Sequence, residues 1–94
     1  MEERVYYISL YDYYGKLLTD KQKKYFEDYY FENLTMEEIA ENDSVSKNAV
    51  SKQIILIKDK LDFYEKNLNL YKNKIEIEKV LKDTKYLNEI KKYI

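Results

Sequence analysis

Thr35-Met-Glu-Glu-Ile-Ala-Glu-Asn-Asp-Ser-Val-Ser-Lys-Asn-Ala-Val50 is the stretch that decides the fold. It opens with a hydroxyl, two residues and a carboxylate, Thr35 to Glu38, which is a capping box at the start of a helix. Met36, Ile39 and Ala40 follow at helical spacing. Asn42-Asp43-Ser44 breaks that pattern, Val45 is expected to return to the core, and Ser46 can cap a second helix. A helix, a short turn and a second helix, with a small residue at Ala40 on the inner face of the first, make a helix-turn-helix. The small side chain matters because the two helices cross closely there.

C-terminal to that turn the spacing predicts one long helix. Val50, Ile54, Ile57, Leu61, Tyr64, Leu68 and Tyr71 alternate steps of four and three, an apolar seam with the heptad period. The seam must pack on something. The candidates are the chain's own first and last helices, or a coiled-coil-like contact with a second copy, which would make a homodimer. Asn67 and Asn69 suggest the helix end, since Asn tolerates a left-handed cap. Ile75, Ile77, Val80 and Leu81 mark a further helix, Asp83-Thr84 punctuates it, and Leu87, Ile90 and Ile94 mark a last one.

N-terminal to the turn, Val5, Ile8 and Tyr11, with Tyr7, Leu10 and Tyr14 beside them, form a broad helical face from Glu3 to Tyr14. Gly15, the single glycine, stands where that helix should stop. Thr19 or Asp20 can cap the next helix, stapled by Leu17 or Leu18 and running to about Phe31. Tyr25, Phe26, Tyr29 and Tyr30 supply its core side. The fold class is therefore all-α: a helix-turn-helix bundle with a long second helix and additional C-terminal helices. Residues 1–71 are read as the helix-turn-helix domain and 72–94 as its basic C-terminal extension.

Composition limits the chemistry. The 94 residues make one domain's worth of chain. His and Cys are both absent, which removes the commonest general base, the commonest metal ligand, thiolate sites and disulfides. One glycine cannot build a Gly-rich phosphate loop. Acidic pairs such as Glu37-Glu38 fall at helix starts, where they complement the dipole. The sequence thus points to a binding protein, with no enzyme activity, cofactor or metal expected. No apolar run nears the ~20 residues of a membrane span, and the acidic start is unlike a secretion signal, so a cytoplasmic location is expected.

Net charge is −1 but unevenly spread: −6 over residues 1–45, +2 over 46–71 and +3 over 72–94. Such an asymmetry is a footprint of nucleic-acid binding. In a helix-turn-helix, the start of the second helix enters the major groove. With the seam inward, Asn48, Ser51 and Lys52 face away from it, Lys47 lies on the flank, and Ser46 opens the helix. Asn pairs with adenine, Lys with guanine or phosphate, and Ser with either. These five residues, Ser46, Lys47, Asn48, Ser51 and Lys52, are the candidate nucleic-acid site. Lys72, Lys74, Lys79, Lys82, Lys85, Lys91 and Lys92 could add phosphate contacts. Ile55 also points outward, which suggests a contact with a thymine methyl, a partner protein or a second copy.

Leu17-Leu-Thr-Asp-Lys-Gln-Lys-Lys-Tyr-Phe-Glu-Asp-Tyr-Tyr, joined to Leu34-Thr-Met-Glu-Glu-Ile-Ala-Glu and Val45-Ser-Lys-Asn-Ala-Val, resembles the YlxM family of small bacterial helix-turn-helix proteins. The likeness covers Tyr7 to Tyr71. The helix-turn-helix portion also resembles, more broadly, the DNA-reading region 4 of bacterial sigma factors. The resemblance implies a sigma-region-4-like domain that serves as accessory or regulator of the signal recognition particle pathway. DNA is the implied ligand, with the particle's RNA or its GTPase as alternative partners. Three positions depart from the family pattern: Ser44 replaces a turn glycine, Asp43 an apolar residue, and Lys47 an arginine whose bidentate pairing lysine lacks.

Overall fold

The computed structural model describes residues 3–82 and 85–94. Among them it is all-α, with the order α1 Glu3–Tyr14, α2 Asp20–Tyr30, α3 Met36–Asp43, α4 Lys47–Leu68, α5 Leu70–Val80 and α6 Lys85–Ile90. Single 3-10 turns follow α1 (Gly15–Leu17) and α6 (Lys91–Tyr93). The Asp83-Thr84 break lies outside the described residues.

Helix starts follow local chemistry. At Thr19 and again at Thr35 the hydroxyl accepts the N–H three residues on, while Gln22 and Glu38 reach back to the threonine N–H. Each pair of bonds satisfies two donors that a helix start otherwise leaves orphaned. Gly15 does not supply a left-handed stop, since its φ is not positive. Its smallness serves packing: a Cβ there would sit 3.0 Å from the Tyr11 ring. That ring cannot easily yield, because it stacks on Phe26 with centroids 4.1 Å apart.

Helices α1, α2 and α3 all pack on α4. Val50, Ile54, Ile57 and Leu61 form the buried face of α4, against Leu10 and Tyr14 of α1, Tyr25, Phe26 and Tyr30 of α2, and Ile39 and Ala40 of α3. The predicted seam is thus covered by the chain's own helices. Tyr64 and Tyr71 pack against this core as half-buried rings, and of the predicted seam only Leu68 is exposed, at 51%. Helix α1 ends at Tyr14, which bonds Glu65 of α4. Asn69 then ends α4 in the left-handed conformation, as expected (φ 55°, ψ 28°).

Helix α5 packs on α1 and α4, and Tyr71 meets Tyr6 edge-on at 5.9 Å. Neither α5 nor α6 contains a buried residue. The molecule is elongated, 51 × 24 × 22 Å.

Candidate nucleic-acid interface

The turn between α3 and α4 fixes where the start of α4 points. Asn42 and Asp43 stay helical, and only Ser44 leaves, in the left-handed region (φ 56°, ψ 42°). Two bonds close the end of α3: Val45 N–H to Ala40 O at 3.0 Å and Ser44 N–H to Glu41 O at 3.3 Å. This is the Schellman arrangement. Val45 does not return to the core as the sequence suggested, because this backbone leaves its side chain 39% exposed.

Asp43 stands where an apolar residue was expected and finds polar company. Its carboxylate accepts the Tyr25 hydroxyl and lies 3.9 Å from Lys24. Burial and then this carboxylate push the Tyr25 phenol above its ordinary value. The turn is therefore tied to α2 by a polar contact at the edge of the core.

Ser46 caps α4. Its hydroxyl oxygen accepts Ala49 N–H at 3.0 Å, which leaves the hydroxyl hydrogen to donate elsewhere. Lys47 is exposed but pairs with Glu37 of α3 at 2.8 Å. The hydrogen bond to Glu37 raises the Lys47 pKa and lowers that of Glu37. Asn48 and Lys52 are exposed, and among the described residues neither side chain bonds to another group. Ser51 is half-buried and lines a shallow cleft with Arg4, Met36 and Lys58. The five residues thus share the first two turns of α4 but not one orientation. Asn48 and Lys52 project together, Lys47 leans on α3, and Ser51 turns toward α1.

Sequence reasoning missed two participants. Glu37 is one, because its meeting with Lys47 depends on how α3 and α4 cross. Arg4 is the other: its guanidinium donates to Tyr29 O at 3.1 Å, to Tyr30 O at 2.6 Å and to the Asn33 side chain. It thereby satisfies carbonyls at the end of α2 and fixes the loop leading to Thr35. Lys58 is likewise held, by Glu3 and over the Tyr7 ring at 5.0 Å. No acidic side chain lies in the first turn of α4, although Glu37, Glu38 and Glu41 are exposed on neighbouring α3. Among the described residues no cluster of carboxylates could hold a metal ion, and no helix is long and apolar enough to cross a membrane.

A family model described as "Putative helix-turn-helix protein, YlxM / p13 like" matches residues 1–94. The chain belongs to this family, UPF0122. Among UPF0122 relatives, one from Caldanaerobacter subterraneus is 38% identical over 86 residues, 90% of this chain and 74% of that protein. One from Ureaplasma urealyticum is 38% identical over 92 residues, covering 95% and 93% of the two chains. A Lacticaseibacillus casei relative is 43% identical over 65 residues, and there the match spans 69% of this chain and 58% of the relative. The UPF0122 description names the same motif that α3, Ser44 and α4 build. As a helix-turn-helix family it points to nucleic-acid-binding regulators.

Proposed function

We propose that this protein is a non-enzymatic, nucleic-acid-binding regulator or accessory of the signal recognition particle pathway. It acts in the cytoplasm and reads duplex DNA with the start of α4. The observation that carries the reading is the joint exposure of Asn48 and Lys52 on the outer face of the second helix of a helix-turn-helix. Neither is engaged elsewhere in the described chain. Lys47, Ser46 and Ser51 complete the site from its flanks. Residues 72–94, a basic extension of the domain formed by residues 1–71, add phosphate contacts. The sigma-region-4 resemblance supports DNA over RNA, and the YlxM resemblance supports the pathway.

One observation favours a second reading. The carboxylates of Glu37, Glu38 and Glu41 stand exposed beside the candidate groove-reading face and repel phosphate. A protein partner such as the particle's GTPase would meet no such repulsion, and the helix-turn-helix would then serve as scaffold.

Titration against labelled duplex DNA, particle RNA and the GTPase, at low and moderate salt, tests both. The expected result is DNA binding that weakens steeply with salt. Lys52→Glu and Asn48→Ala should each weaken it about tenfold or more, the Lys52 change also lowering the salt slope. GTPase binding with no nucleic-acid binding at low salt would replace the first reading with the second.

A further inference from the structure

Between α1, the end of α2 and the flank of α4 lies an open cleft of about 440 Å³, whose polar wall is Glu3, Arg4, Tyr30, Ser51 and Lys58. Most of these groups carry donors that the fold does not use. Tyr30 is only 6% exposed, yet its hydroxyl makes no hydrogen bond to any described residue. Among the described residues every fully buried side-chain oxygen has a partner. The Tyr30 hydroxyl is therefore the part of that side chain that opens into the cleft. A largely buried phenol without a partner is uncommon in a folded chain.

Cations surround this hydroxyl. The Arg4 guanidinium lies over the Tyr30 ring at 5.1 Å. Burial raises the phenol's pKa, and the charge acting on it most strongly is that of Lys58, which lowers it. Arg4 spends only Nη2 on the fold, so Nε and Nη1 keep their donors. Lys58 donates to Glu3 alone, and the Ser51 hydroxyl is unbonded among the described residues. The Glu3 carboxylate shows that an anion fits beside Lys58. Its side chain is 67% exposed, and the Lys58 pair is its only bond among the described residues, so it is readily displaced.

We propose that this cleft seats one phosphate of a nucleic-acid backbone, held by the Tyr30 and Ser51 hydroxyls, the Lys58 ammonium and the Arg4 guanidinium, with Glu3 displaced. This deepens, and rests on, the nucleic-acid reading given above. Two observations favour a backbone phosphate over a free one. Ser51 lies within one helical turn of Asn48 and Lys52, so the cleft borders the candidate reading face. The adjoining cleft shares Arg4, Tyr29 and Met36 and contains Lys47, so cations continue along this flank as a chain of phosphates requires. Such a contact carries no sequence information. It fixes the orientation of α4 on the duplex.

Titration of duplex DNA against Tyr30→Phe, Ser51→Ala, Lys58→Gln and Glu3→Gln tests the site. Tyr30→Phe keeps the packed ring, so its thermal unfolding should match wild type. A clear drop in its melting temperature would show that the hydroxyl serves the fold, and would overturn the site. Tyr30→Phe and Lys58→Gln are each expected to weaken binding about tenfold on every sequence. Lys58→Gln should also lower the salt slope by about one. Ser51→Ala should weaken binding and Glu3→Gln should tighten it. Wild-type affinity in both Tyr30→Phe and Lys58→Gln would overturn the site and leave the reading by Asn48 and Lys52 standing. If no form binds DNA or RNA, inorganic phosphate decides, followed by amide NMR against chloride of equal ionic strength. Shifts at Ser51 and Lys58 that Tyr30→Phe diminishes would uphold a phosphate site and reject the nucleic-acid function. Their absence would overturn both.

Discussion

The phenol of Tyr14 donates to the buried carboxylate of Glu65 at 2.6 Å, joining the end of α1 to the end of α4. The same carboxylate accepts the N–H groups of Tyr71 and Lys72 at 3.1 and 2.9 Å, and the Tyr14 oxygen accepts Leu70 N–H at 3.1 Å. Those are the donors that a helix start leaves orphaned. Asn69 makes no side-chain cap, so Glu65 and Tyr14 perform the capping of α5 from outside it.

Glu65→Ala should therefore be among the most damaging single changes. It strips the acceptor from three donors, and the expected loss is about 3 kcal/mol, since each unsatisfied buried donor costs about 1–3 kcal/mol. Glu65→Gln keeps one acceptor oxygen and should lose less. Chemical denaturation reads the stability. Hydrogen exchange at Tyr71 and Lys72 should rise far more than at Ile57, and equal rises at all three would contradict the capping role.

Alkali should unfold the protein through its tyrosines. Burial first, then the bond to Glu65, pushes Tyr14 up to about 12. Burial followed by Asp62 raises Tyr7, and burial followed by Glu27 raises Tyr11. A phenol whose pKa is higher folded than unfolded stabilises the fold fully below its ordinary value of 10.0 and loses that contribution as pH climbs through its folded value. Helical signal should accordingly fall from pH 10 toward 12, with tyrosinate absorbance appearing in step. Tyrosines that all ionise near pH 10 while the helices persist would show that these bonds do not hold the fold.

Ser44→Gly should stabilise. Ser44 holds a left-handed backbone that costs a residue with a Cβ about 1–2 kcal/mol, partly offset by the greater freedom glycine loses on folding. A net gain of about 0.5–1 kcal/mol in thermal unfolding is expected. No gain would mean that the Ser44 side chain makes a compensating contribution.

What the sequence discloses follows from the range of the interactions involved. The capping boxes at Thr19 and Thr35 and the cap at Ser46 lie within three residues of their partners, so composition and spacing reveal them. The core face of α4 from Val50 to Leu61 is legible because helical period alone sets it. Leu68 was not, since its exposure depends on tertiary packing at the end of α4 and not on period. Val45 turned on one backbone bond to Ala40, and Gly15 on the position of the Tyr11 ring. At the candidate site, the outward face of Asn48 and Lys52 follows from period, whereas the capture of Lys47 by Glu37 and the turning of Ser51 toward α1 depend on tertiary crossing. The polar refuge of Asp43 beside Tyr25 and Lys24 had no local signal.

The Glu37–Lys47 pair makes the protein its own competitor. An anion arriving at Lys47 must displace a carboxylate already bound there at 2.8 Å, so a single free phosphate gains little by the exchange. A polyanion that engages several cations at once meets the same threshold with more to offer. On the function proposed above, the pair filters ligands by valency at that corner of α4, and Glu37→Gln is expected to lower the filter without altering any residue of that helix.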